Sequence, residues 1–169
     1  NMKRKIFSIL FGLLFLVGFG ILAYPTVANQ WNTYRQSKLI SNYKETTKNI
    51  DTEDFEKEWE KAESYNDSIT VNQSMSADVF NEGGKEDKTS DYWQALNISG
   101  DGIMGYLSIP KINVELAIYH GTSDDVLQTG EGHIEGTKLP IGGEGNHTVL
   151  AAHRGLPSAR LYTDLDQLV

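Results

Sequence analysis

Four hydropathic regimes follow one another along the chain. From Ile6 to Tyr24 there is no charged residue, and Lys3-Arg4-Lys5 stands directly before the run. At about 1.5 Å of rise per residue, such a helix approaches the roughly 30 Å of a bilayer's hydrocarbon. The run is longer than the apolar core of a cleaved leader, about 7–15 residues, so an uncleaved anchor is the favoured reading. Basic residues are retained on the cytoplasmic side, which predicts that everything after Pro25 lies outside the cell.

A helical pattern follows. Val27 to Ser64 carries widely spaced apolar residues, and a second helix is predicted to begin at Asp51. Asp51 can cap it, Ile50 and Phe55 can form a hydrophobic staple, and Glu53 and Asp54 suit the positive end of the helix dipole. Phe55, Trp59 and Ala62 recur at i, i+4 and i+7, predicting one apolar stripe packed on the rest of the domain. From Asn66 to Asp101 the chain turns to Ser, Asn, Asp and Gly, as in a long loop, lid or linker.

Beyond Gly105 the period changes to that of strands. Tyr106, Ile109, Ile112, Val114, Leu116 and Ile118 are interrupted by Pro110, predicting two short strands broken at the proline. Ser123 can cap a short helix. Gly130 to Gly145 is a glycine-rich connection. Thr148-Val-Leu-Ala-Ala-His153 reads as a strand delivering a histidine at its end, followed by a turn at Gly155 and Pro157 and a helix over 160–168. The domain organisation predicted is a transmembrane anchor at 1–25, an extracellular helical segment at 26–65, a lid or loop region at 66–101 and a mainly β domain at 102–169.

Charge and composition narrow the function. The 169 residues carry a formal net charge of -8, and no nucleic-acid-binding patch is expected. The sequence contains no cysteine, which excludes a disulfide framework or thiolate metal site within these residues. His133, His147 and His153 match no compact zinc spacing, and Glu131, Glu135 and Glu144 lack the spacing of a calcium loop. No metal and no cofactor are expected.

His153 is the candidate catalytic residue. An imidazole at the rim of a sheet can be held by the scaffold and still reach a substrate. The run from Gly132-His-Ile-Glu-Gly-Thr-Lys-Leu-Pro-Ile-Gly-Gly through Val-Leu-Ala-Ala-His153-Arg-Gly-Leu-Pro-Ser-Ala-Arg-Leu-Tyr-Thr-Asp-Leu is very similar to the central segment of class C, pilin-polymerising sortases. Gly105-Tyr-Leu-Ser-Ile-Pro-Lys-Ile-Asn-Val-Glu-Leu-Ala-Ile-Tyr-His-Gly-Thr-Ser resembles the first strands of the same barrel. The resemblance implies an incomplete sortase-type β-barrel behind the N-terminal transmembrane helix and the helical and lid region.

It also implies a chemistry. In the family a cysteine thiolate attacks the Thr–Gly carbonyl of a Leu-Pro-x-Thr-Gly-type sorting signal. A thioester forms, and in the pilin-joining class a lysine amine resolves it. The histidine handles the proton, and an arginine stabilises the oxyanion or orients the substrate. His153 matches the family histidine. The family's cysteine and arginine belong to later strands, so these residues are expected to be an N-terminal part, inactive alone. Arg154 and Arg160 do not take the missing arginine's place. A class C lid carries an Asp-Pro-aromatic motif, and Asp78-Val79-Phe80 is the preferred counterpart, ahead of Asp91-Tyr92-Trp93. Valine in place of proline removes the φ restriction that would stiffen the motif. The partners implied are pilin or surface-protein sorting signals. The competing reading is a non-catalytic, membrane-tethered β domain that binds a surface protein.

Overall fold

The structure, a computed structural model, describes residues 2–69 and 87–168. Helix α1 runs from Met2 to Lys48 without interruption, through Pro25. The expected anchor and the first part of the 26–65 segment are therefore a single rod. Its apolar part has a mean hydropathy of 2.6 and is fully exposed, so α1 is long and apolar enough to cross a membrane. Helix α2 (Thr52–Ser68) starts as its sequence signals: Asp51 caps it, accepting from the Asp54 N–H at 2.9 Å.

The predicted α2 stripe is corrected in its first half. Phe55 and Trp59 stay 47% and 36% exposed and stack on each other, with centroids 5.8 Å apart. Only the C-terminal end packs inward, through Ala62, Tyr65 and Asn66. Asn66 accepts from Leu139 N–H at 2.6 Å and donates to the Asn146 side chain at 3.2 Å, so amide bonds as well as apolar contact seat this end.

Part of the region expected to be loop is core. A four-residue helix α3 (Asp91–Gln94) buries Tyr92 and Trp93, and Ala95 and Leu96 follow them in. These residues join Ala62, Met104, Ile118 and Leu139 in one cluster. Aromatic bulk offsets the polar composition that suggested a loop.

The strands follow. β1 (Ile103–Ile109) and β2 (Val114–His120) form an antiparallel hairpin turned by a 3-10 element over Pro110–Ile112, as the proline break predicted. Asn113 closes the turn at φ 52, a conformation asparagine tolerates. α4 (Asp124–Thr129) crosses over to β3 (Glu131–His133), which pairs parallel with β2. β4 (Leu150–Ala151) pairs antiparallel with β3, completing a sheet of order β1-β2-β3-β4. A Cβ at Gly132 would lie 2.1 Å from the Gly121 carbonyl oxygen, so only glycine permits this approach of chain to chain.

A separate hairpin, β5 (Arg154–Leu156) with β6 (Ala159–Leu161), replaces the turn and the start of the helix expected over 160–168. Ala159 and Leu161 are buried against Ile112, Val114 and Leu116, while Arg160 points out. That period-two burial makes a strand, and the helical spacing of Leu161, Leu165 and Leu168 misled. Only a 3-10 turn at Leu165–Leu168 survives of the predicted helix.

The description "mainly β" is corrected accordingly. α1 alone has 47 residues, whereas the longest strands have 7. The two sheets do not close into a barrel. Ile40 of α1 packs on Ile103 and Ala117, which fastens the rod to the sheet.

Candidate active site

His153 lies two residues past the end of β4 and directly before β5. Its side chain is exposed and has no hydrogen-bond partner among the described residues. The backbone is held instead: the His153 carbonyl accepts from the Tyr162 N–H at 3.2 Å. That bond continues the hairpin by one pair beyond Arg154 and Leu161. Gly155 takes φ 80, a conformation that costs a residue with a Cβ more than it costs glycine, and so bends the chain just after the histidine.

The neighbouring arginines are engaged elsewhere. Arg154 pairs with Asp166 at 3.2 Å, and Arg160 pairs with Asp164 at 2.6 Å. Both pairs are on the surface, where such contacts contribute little. Asp78 and Phe80 lie outside the described residues. The less favoured lid candidate, Asp91 with Trp93, is in a different setting: Trp93 is 8% exposed and stacks on His120 at 5.2 Å. A ring committed to the core is not a cover for a surface histidine.

The remaining histidines divide by environment. His133 is fully buried, with Nε2 against the Lys138 carbonyl at 2.9 Å and Nδ1 against the Tyr92 hydroxyl at 3.1 Å. Burial pushes its pKa down to about 4; the Lys138 carbonyl opposes this, and neighbouring His120 adds to it. A neutral ring donating from Nε2 fits those partners. His120 is also buried, its ring nitrogens on the Gly102 and Ala95 carbonyls. His147 is exposed. No three His, Asp or Glu side chains among the described residues are grouped to hold a metal.

The composition of the glycine-rich connection concealed a buried acid. Glu131, on β3, is 0% exposed, and its Oε2 accepts from the Tyr162 hydroxyl. Its Oε1 has no partner among the described residues. Burial pushes the Glu131 pKa up to about 7, with the Tyr162 hydrogen bond pulling the other way. The Tyr162 hydroxyl is itself raised, first by burial and then by the Glu131 charge. A glutamate between Gly130 and Gly132 reads as loop, and only the strand register with Ile118 exposes it as an inward position.

The short-stranded sheet packed on helices has counterparts among known proteins. The model of the sortase domain matches residues 107–169. The chain thus carries part of a sortase domain. Its similarity is to class C members. Sortase C1 from Streptococcus agalactiae is 42% identical with a TM-score of 0.66, over 78% of this chain and 65% of that one. A sortase C from Streptococcus pneumoniae is 39% identical with a TM-score of 0.67, over 78% and 64%. Sortase D of Bacillus subtilis (strain 168) is 46% identical over 50 residues, which are 30% of this chain and 24% of that protein. The chain thus spans less than two thirds of the length of each of these relatives.

Proposed function

We propose that the complete protein is a class C sortase that joins pilin or other surface-protein subunits, with its domain held on the outer face of the cell membrane by α1. The observation that carries this is the long sortase match over 107–169, within which His153 stands exposed at a strand end. The Streptococcus pneumoniae relative is described in terms of pilin substrate specificity, which supports a pilin substrate here.

In this reading a thiolate and an arginine come from sequence beyond Val169. The thiolate attacks the Thr–Gly carbonyl of a sorting signal. His153, as imidazolium, gives its proton to the departing glycine amine, and a thioester remains. A lysine amine of the next subunit then attacks the thioester, the thiolate leaves, and His153 takes up the proton released. The lid role of Asp78 and Phe80 belongs to this same reading and rests on the Asp-Val-Phe sequence alone.

His153→Ala in the full-length protein abolishes cleavage and joining of a Leu-Pro-x-Thr-Gly-type peptide while leaving the circular dichroism spectrum unchanged. Activity at the wild-type level in that variant, or a coding sequence with no cysteine after Val169, would remove the assignment.

A further inference from the structure

We propose that Glu131 and Tyr162 are positioning residues that hold His153 at the site; this rests on the catalytic reading of His153. Two routes connect β3 to the histidine. The first runs along the sheet: Gly132 pairs with Ala151, and His153 follows two residues later. A histidine held by this route alone would stand at the free end of a two-residue strand.

The second route closes the frame. Glu131, the residue before Gly132, accepts from the Tyr162 hydroxyl. Tyr162 then donates its backbone N–H to the His153 carbonyl at 3.2 Å. The tyrosine acts as a strut, its ring tip fixed to the sheet and its backbone fixed to the histidine. The anchor is firm because Glu131 has no exposed surface and its strand is bounded by the tight approach of Gly132 to Gly121.

The chemistry of the pair supports a purpose beyond packing. Burying a carboxyl with a single partner is unfavourable, and its raised pKa expresses that cost. An apolar pair of similar shape would fill the same space without it. What the polar pair adds is direction, since a hydrogen bond fixes the tyrosine hydroxyl at one point where an apolar contact would let it slide. A reacting imidazole gains from this, because small displacements at a catalytic group lower the rate steeply.

The test uses the full-length protein and two readouts. Amide hydrogen exchange at Tyr162 reports the bond to His153, and peptide-joining kinetics report the consequence. Tyr162→Phe keeps the ring but removes the donor; Glu131→Leu removes the acceptor. Each accelerates exchange at the residue 162 amide at least ten-fold, with β1 and β2 amides unchanged. Each lowers kcat about ten-fold while KM stays within two-fold. Glu131→Gln, whose amide oxygen still accepts the hydroxyl, recovers most of both effects.

Unchanged exchange in Tyr162→Phe would overturn the strut. Faster exchange with an unchanged kcat would overturn its positioning role. Failure of the underlying assignment is separable from either: His153→Ala would then join peptides normally, and exchange at residue 162 would still report whether the strut exists.

Discussion

At the scale of single residues, two buried ionisable groups set opposing pH dependences. Glu131 holds its proton up to about pH 7 in the folded chain, against an ordinary value of 4.5. Between those values the folded state binds more protons than the unfolded one, so this group's contribution to stability falls as pH rises through the window. The full span is worth roughly 3 kcal/mol. His133 is the reverse. Its folded value near 4 lies below the ordinary 6.5, so its contribution is present above pH 6.5 and lost as pH falls toward 4. The two partly cancel from about pH 4.5 to 6.5. Glu131→Gln removes one side of the balance. Measured by urea midpoints at pH 4, 6 and 8, the variant should gain on the wild type as pH rises, and parallel curves would show that Glu131 titrates alike in the folded and unfolded chain. Neither group was legible from composition. Glu131 sits among glycines and His133 in a polar run, and their burial depends on strand pairings that no local pattern encodes. His153 was legible because an apolar run leads straight to it, and because a long ordered segment resembled a known family.

At the scale of elements, local chemistry was read well and partnership poorly. The Asp51 cap and the Pro110 break follow from interactions within a few residues, and both stand in the fold. The β5–β6 hairpin did not, because Leu161, Leu165 and Leu168 imitate a helical face and only the packing of Ala159 and Leu161 decides the matter. α1 gives a second case. Gln36 lies in a polar stretch of helix yet is 2% exposed. Its Oε1 accepts from the Ala117 N–H at 2.9 Å, and its Nε2 donates to the Thr129 carbonyl. One side chain thereby joins α1 to β2 and to the end of α4. Gln36→Leu fills the space but strands both backbone groups, and should cost about 2–4 kcal/mol. Chemical denaturation of the detergent-solubilised chain measures this. A loss under about 0.5 kcal/mol, as for an ordinary surface substitution, would mean the bridge contributes nothing.

At the scale of the whole molecule, the continuity of α1 determines where the histidine-bearing end of the domain stands. Asn29 follows Tyr24, the last residue of the apolar run, by little more than one helical turn, and its side chain accepts from the Arg160 N–H of β6 at 2.8 Å. With α1 spanning the bilayer, β6 and its partner strand beside His153 are drawn down to the lipid headgroups. The other end of the rod is far away: Lys48 lies about 36 Å further along the helix than Tyr24, and α2 begins beyond it. A flexible tether would average such differences away, whereas a helix that passes unbroken through Pro25 and is fastened by Gln36 and Ile40 preserves them. Under the proposed function, the histidine edge of the domain should therefore stand close to the membrane surface. In vesicles carrying headgroup quenchers, a fluorophore at Gln167 should be strongly quenched and one at Glu53 hardly at all. Equal quenching at both positions would mean that the domain tumbles freely above the bilayer, and the height of the site would then owe nothing to the rod.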